Sequence, residues 1–265
     1  MKTVLLIGFG AMGRSIFDQL RHDPRVARWL VLDRPERLDE ITATLGGCGL
    51  AVAGIEDLNA RPDFAVECAG HGAVTNVVPV LLRRGIDTIV ASVGALAHHD
   101  VAQRLDQACS EGGAQLTLVP GALAGIDALA AARACGLDEV RYTGRKPPRS
   151  WKGTLAAERC DLDALARATV FFEGTAREAA TLFPQNANVA AMAGLSGLGL
   201  DRTRVQLIAD PEAGGNTHTI TARGAFGRLE VEVEAAPFAA NPKTSALAGM
   251  SIARAIRNRL DTFIL

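Results

Sequence analysis

Hydrophobic and polar positions in the first 120 residues alternate between two regimes. Short unbroken apolar runs occur at Thr3–Ile7, Leu30–Leu32, Phe64–Val66, Thr88–Ala91 and Gln115–Val119. Between them lie stretches with helical spacing of apolar residues, such as Met12–Arg21, Pro35–Leu45, Val74–Arg84 and Asp100–Glu111. Strands covered on both faces read as continuous apolar runs, and crossover helices carry one apolar stripe. The rhythm predicts a parallel sheet with helices on both sides, a doubly wound α/β arrangement of the Rossmann kind.

The pattern changes at Pro120-Gly121. A small-residue helix is predicted over Gly125–Cys135 and a strand over Glu139–Thr143, followed by a basic, proline-rich loop at Arg145–Trp151. Arg204–Ala209, Thr217–Ala222 and Leu229–Ala235 alternate apolar with polar, which predicts an antiparallel or mixed sheet with one face covered. Asn241-Pro242 is a turn signal, and the amphipathic stretch Thr244–Leu260 after it predicts a terminal helix. The fold class is therefore α/β: a parallel-sheet domain over 1–120, then a second α/β domain with a mixed sheet over 121–240.

Composition narrows the function classes. A chain of 265 residues fits one large domain or two ordinary ones, and 48% hydrophobic with 22% charged residues excludes wholesale disorder. A net charge of −1 supplies no field to recruit nucleic acid or an anionic membrane, and aromatics at 5% do not interleave with basic clusters. Cys48, Cys68, Cys109, Cys135 and Cys160 are odd in number and lack C-x-x-C spacing, which predicts reduced thiols, a cytoplasmic setting and no cysteine-based metal site. The opening Met1–Ile7 run ends at Gly8 and reads as a buried strand rather than a signal peptide. No run reaches the roughly 18 apolar residues of a membrane span.

Gly8-Phe9-Gly10-Ala11-Met12-Gly13 matches G-x-G-x-x-G between a predicted strand and a predicted helix. In that context the first glycine makes the tight turn, the second admits a pyrophosphate against backbone, and the third lets helix and strand pack closely. The helix N-terminus then offers N–H groups to phosphate. Asp33 ends the second strand, where a carboxylate accepts from the adenosine ribose hydroxyls and favours NAD; the adjacent Arg34 would tolerate NADP. Two more strand ends, Glu67–Gly72 with Ala69 and Ser92–Ala95, fall on the same edge of the sheet, where ligands of open α/β sheets bind.

Five histidines occur. His22 reads as a solvated loop residue, and His98-His99 as surface residues before a helix. His71 lies at a strand end. His218 lies on a predicted strand beside the loop Asp210–Gly215, sharing a face with Asn216. Histidine suits proton transfer near neutral pH, although a half-buried structural histidine fits the same pattern. Asn186 and Asn188 precede a helical run and fit either a cap or an amide contact to a nicotinamide or substrate. The helical pattern places Lys243, Thr244 and Ser245 at a helix start, where N–H groups, hydroxyls and an ammonium together suit a carboxylate. Arg145 and Lys146 are further cationic candidates.

Several segments taken together resemble the L-aspartate dehydrogenase family over nearly the whole chain. They are Gly121–Leu129, Thr143–Pro148, Phe172–Ala180 running into Phe183–Ala191, Asn216-Thr217-His218 and Asn241–Ser245. The resemblance implies NAD or NADP as cofactor, contacts to it at Ala122 and Asn188, and a catalytic histidine at His218. It implies oxidation of L-aspartate through an imine to oxaloacetate and ammonia, a connection to NAD biosynthesis, and a homodimer. It also implies that the C-terminal helix, 241–265, returns to the first domain. Ala235-Ala236 departs from the polar pair expected there. A dihydrodipicolinate reductase, a homoserine dehydrogenase or a non-catalytic NAD(H)-binding sensor would share the first half of the chain, so the second half must discriminate.

Overall fold

Strands buried on both faces dominate the N-terminal half of the computed structural model. The structure describes residues 1–183, 188–238 and 241–264, with the backbone alone at 237 and 241–244. β1 (Lys2–Ile7), β2 (Val26–Leu32), β3 (Gly49–Val52), β4 (Phe64–Glu67), β5 (Asp87–Val90) and β6 (Leu116–Leu118) form one sheet in the order β3-β2-β1-β4-β5-β6. Every pairing in it is parallel. This is the dinucleotide-binding strand order, with β1 and β4 adjacent at the point where the winding reverses. The crossovers are α1 (Ala11–Leu20), α2 (Leu38–Leu45), α3 (His71–Asn76), α4 (Val78–Arg83) and α5 (His99–Gly112).

In this half two elements differ from the sequence reading. β3 was not expected, because Gly49-Leu50-Ala51-Val52 is short and follows two glycines; its pairing with Trp29–Leu32 of β2 makes it a strand. The single helix expected over Val74–Arg84 is two, divided at Val77, where Pro79 near the start of α4 lacks the N–H that would continue the ladder.

The second half contains α6 (Ile126–Cys135), β7 (Leu137–Lys146), α7 (Ala156–Arg159), β8 (Thr169–Thr175), α8 (Ala176–Leu182), α9 (Asn188–Ser196), β9 (Arg204–Ala209), β10 (Asn216–Gly224) and β11 (Gly227–Ala235). Its sheet has the order β11-β10-β7-β9-β8; β7 and β9 run parallel and the other pairs antiparallel. Val140, Tyr142, Gly144 and Lys146 of β7 are buried, as are Asn216, His218, Ile220 and Ala222 of β10, while the alternate positions are half-buried or exposed. One face is thus covered, by α6 against β10 and α9 against β7. β7 is longer than predicted: Arg145 and Lys146 lie on the strand, not in the loop after it.

The chain end also departs from expectation. β12 (Pro237–Phe238) pairs antiparallel with β13 (Asn241–Ser245), and α10 (Ala246–Leu260) begins only at Ala246. Strand pairing across a short connection overrides the helical spacing, so Asn241–Ser245 does not open a helix. The chain divides into two compact units, Met1–Val119 with the segment from Gly249 onward, and Pro120–Ala248. Ile252, Ala253 and Ile256 of α10 join the apolar core of the first unit with Val4, Leu6 and Phe17. Arg259 Nη1 donates to Asp87 Oδ2 at 2.8 Å, fastening the helix to that sheet. No helix among the described residues is long and apolar enough to cross a membrane.

Candidate active site

In the first unit the glycine turn joins β1 to α1. Gly8 has φ +91°, a left-handed conformation, and a Cβ on it would lie 2.7 Å from the Ala69 Cβ. A Cβ on Gly13 would lie 2.3 Å from the Gly8 carbonyl oxygen, so the helix packs on the turn only without a side chain there. Gly10 is different: nothing lies within 4 Å of its Cβ position, so its backbone faces open space. Gly10 also caps α1 with no side-chain hydrogen bond, leaving the first-turn N–H groups to a ligand. Met12 is partly buried against the apolar core, and a Cβ on Gly249 would lie 3.2 Å from its sulfur. Its side chain therefore serves packing within the unit.

Asp33 sits at the end of β2 with both carboxylate oxygens engaged. Oδ2 accepts from the Phe9 N–H at 2.7 Å and from Arg37 Nη1 at 3.2 Å, and Oδ1 accepts from the Arg34 N–H at 2.8 Å. Arg37 also donates to the Phe9 carbonyl at 3.1 Å. Asp33 thereby ties the glycine turn to the β2 end, and Arg37 supplies positive charge beside it. A cavity of about 540 Å³ opens here, lined by Gly8, Gly10, Asp33, Arg34, Arg37 and Ala69 among others. Bare glycine backbone, an uncapped helix N-terminus and a carboxylate at one cavity fit a dinucleotide.

Glu67 was read only as part of a strand-end loop, yet it builds the next section of this edge. It is fully buried at the end of β4. Its Oε1 accepts from the N–H groups of Ala69 and Gly70 at 2.8 and 2.7 Å and from the Ser92 hydroxyl at 2.9 Å; Oε2 accepts from the Ser92 N–H at 3.0 Å. One carboxylate thus holds the β4 and β5 loops together. The Ser92 hydroxyl is consumed in this clamp. An acidic residue ending an apolar strand before Ala-Gly was the signal available in the sequence. Cys68 lies beneath the turn, its thiol donating to the Gly8 carbonyl at 3.2 Å, and burial pushes that thiol up. His71 opens α3, half-buried, while His22, His98 and His99 are exposed.

The second unit gathers buried ionisable groups on the covered face of its sheet. His218 on β10 is 3% exposed and stands opposite Gly144 of β7 and Val233 of β11. Its Nδ1 and the Tyr142 hydroxyl are 2.8 Å apart, a hydrogen bond whose direction follows the imidazole tautomer. Burial, with a smaller contribution from the Lys146 charge, pushes the imidazole down to about 3. Lys146 is itself 4% exposed, and burial lowers its ammonium to about 8. Its Nζ lies 4.9 Å from the centre of the Trp151 ring. Tyr142, the one tyrosine in the chain, was not among the sequence candidates; burial raises its hydroxyl.

Other candidates separate into groups. Asn216 is buried on the His218 face. Arg145 points to the opposite face and donates to Asp210 Oδ2 at 2.8 Å. Ser245 is 5% exposed, and its hydroxyl finds no hydrogen-bond partner among the described residues. The side chains of Lys243 and Thr244 lie outside those described, as does Asn186. Asn188 opens α9, and Ala122 is buried in the turn after β6. Thr175 and Glu178 form a capping box at α8, with the Glu178 N–H donating to Thr175 Oγ1 at 3.2 Å and the Thr175 N–H to Glu178 Oε2 at 2.7 Å. That part of the family-like pattern is structural.

Comparison with known proteins divides along the same line. Residues 8–119 match the family model described as homoserine dehydrogenase, NAD binding domain, and residues 127–259 match aspartate dehydrogenase, C-terminal. The chain is 51% identical to the L-aspartate dehydrogenase of Cupriavidus necator over 263 residues, 98% of each chain. It is 46% identical to that of Pseudomonas aeruginosa over 260 residues, 97% of each. The crystal structure of aspartate dehydrogenase from Thermotoga maritima superimposes with a TM-score of 0.81 at 26% identity, covering 100% of this chain and 99% of that one. With an NAD(P)-binding first half and a second half shared along its length with these enzymes, the chain belongs to the L-aspartate dehydrogenase family.

Proposed function

We propose that this chain oxidises L-aspartate to iminoaspartate, which hydrolyses to oxaloacetate and ammonia, and that it runs the reverse reductive amination. The observation that carries the reading is His218, a buried neutral imidazole beside Lys146 in the half that matches aspartate dehydrogenases. The first unit is the dinucleotide-binding domain and the second the catalytic one.

Gly8, Gly10, Ala11, Met12 and Gly13 hold the pyrophosphate through backbone, and Asp33 and Arg34 receive the ribose. Ala69 and Ser92 line the nicotinamide side through backbone, with Ala122 and Asn188 as further contacts. Arg37 partly neutralises Asp33, which supports use of both NAD and NADP. The chemistry that bound NAD(P)⁺ supplies is acceptance of the hydride from the substrate Cα. His218, held neutral near physiological pH, accepts the proton that the substrate amine must lose, or activates the water that attacks the imine. Lys146 attracts the dicarboxylate into a site of low dielectric. Ser245, whose buried hydroxyl has no hydrogen-bond partner among the described residues, contacts a substrate carboxylate together with Asn216, Lys243 and Thr244.

The protein acts in the cytoplasm as a homodimer. The homodimer rests on the resemblance to the family, and the face of the second sheet opposite α6 and α9 is the surface a second copy would cover. The imine product connects the reaction to NAD biosynthesis. The first experiment follows NADH and NADPH absorbance with oxaloacetate and ammonium, with ammonium-free and other keto-acid controls. Ammonium-dependent oxidation selective for oxaloacetate is expected. Cofactor binding without turnover of any keto acid overturns the reading.

A further inference from the structure

We propose that Tyr142 is a positioning residue for His218: the imidazole donates its Nδ1–H to the Tyr142 hydroxyl oxygen, which reserves Nε2 as the atom that exchanges protons with the reacting amine or water. The inference rests on the proton-transfer role proposed for His218.

Three features of the β7–β10 pair carry it. First, the contact is between neighbouring strands and is buried at both ends, with Tyr142 1% and His218 3% exposed and Oη to Nδ1 at 2.8 Å. A buried imidazole whose Nδ1 has such a partner adopts the tautomer that partner permits. Second, the rings are nearly parallel, 17° apart with centroids at 6.1 Å, so the two side chains hold one fixed mutual orientation on the covered face. Third, the contact needs Gly144. In the register, Ile220 stands opposite Tyr142 and His218 opposite Gly144, so Tyr142 reaches His218 by leaning along β7 over the next inward-facing position. That position has no side chain, and a Cβ there would lie 2.7 Å from the Tyr142 Oη and 3.2 Å from its Cζ. Gly144 occurs in the segment Thr143–Pro148, which marked the chain as family-like, and the space above it is where the hydroxyl lies.

The hydroxyl offers Nδ1 either a proton or a lone pair. Proton acceptance at Nε2 requires a lone pair there, so the neutral imidazole carries its proton on Nδ1 and Oη accepts it. When Nε2 gains a proton, the Nδ1–H···Oη bond persists and stabilises the imidazolium. No atom moves except the transferred proton, which keeps reorganisation small in a dry site.

The test begins with ¹⁵N-histidine spectra of the full-length protein near neutral pH, His218 being assigned by its loss in His218→Gln. A protonated Nδ1 and a pyridine-type Nε2 are expected. The opposite pattern, with Nε2 protonated, overturns the proposal without any variant. Tyr142→Phe keeps the ring and removes the oxygen; it is expected to mix the tautomers and to lower kcat by roughly tenfold, with KM for NAD(P)H unchanged. Gly144→Ala should lower kcat similarly, and adding it to Tyr142→Phe should cost little more, since both remove one contact. If His218→Ala stops turnover while Tyr142→Phe keeps wild-type kcat and a single tautomer, Tyr142 has no positioning role. If His218→Ala turns over normally, the reading of His218 itself fails, and the inference with it.

Discussion

The two units solve opposite electrostatic problems. In the first, each functional carboxylate is held by several hydrogen bonds: Asp33 by Phe9, Arg34 and Arg37, with Oδ1 keeping room to accept from a ligand, and Glu67 by Ala69, Gly70 and Ser92. What remains for a ligand is mostly backbone, the open face at Gly10 and the uncapped N-terminus of α1. In the second, His218 and Lys146 are buried together, and desolvation moves both away from their ordinary protonation ranges. The pyrophosphate and ribose of a dinucleotide keep their charge through the reaction, so preorganised dipoles suffice to hold them. A proton-transfer site needs a group whose charge changes, so burial beside another ionisable group is useful there.

The largest expected effect tests that division. His218→Ala should lower turnover by about 10²- to 10⁴-fold while NADH affinity, followed by fluorescence titration, stays at the wild-type value. Equal losses in both would dissolve the distinction between the units. Gly13→Ala should do the reverse. Its Cβ meets the Gly8 carbonyl oxygen at 2.3 Å, so the turn and α1 must separate, at a cost of about 1–3 kcal/mol in stability. Weak cofactor binding and a lowered Tm are the expected readouts.

Glu67→Gln is a gentler probe of the first unit. The amide NH₂ would face at least one N–H that the carboxylate now accepts from, at about 1–3 kcal/mol. Denaturant midpoints should fall, and hydrogen exchange should quicken in the Ala69–Gly70 and Ser92 backbone. Protection unchanged at both loops would mean that they do not depend on this carboxylate.

The remaining test concerns pH. His218 and Lys146 both have lower pKa values folded than unfolded, so the unfolded chain binds more protons in the windows between. For His218 the window runs from the unfolded value of 6.5 down to about 3, and for Lys146 from 10.5 down to about 8. Their contributions should make stability rise with pH through both windows and fall as acid is added below 6.5. Lys146→Met should flatten the upper window and raise the His218 pKa, since the Lys146 charge is one of the two causes of its depression. Urea midpoints across pH and a histidine NMR titration measure these two changes.

How far the sequence could be read depended on the range of the determining interactions. The parallel sheet, the glycine turn and the Asp33 position follow from local periodicity and spacing, because both faces of that sheet are apolar and the turn is contiguous. β3 and β13 were invisible for the complementary reason: Gly49–Val52 and Asn241–Ser245 lack a strand pattern of their own and become strands by pairing with β2 and β12. Lys146 looked like a loop residue because Pro147 follows it, although β9 pairs with β7 as far as Lys146, opposite Ala209.

By itself, then, the sequence determined the α/β class, the dinucleotide turn, the change of architecture near residue 120 and His218 as the histidine to watch. These rest on short-range patterns and on the chemistry of single residue types. Only the tertiary structure decided what surrounds them: that Glu67 clamps two loops, that Arg145 and Lys146 face opposite ways, and that Tyr142 reaches His218 across the space above Gly144. Those contacts join residues 25 to 76 positions apart in the chain or turn on strand alternation at one position, and both are settled by register and burial, which exist only once the sheets are formed.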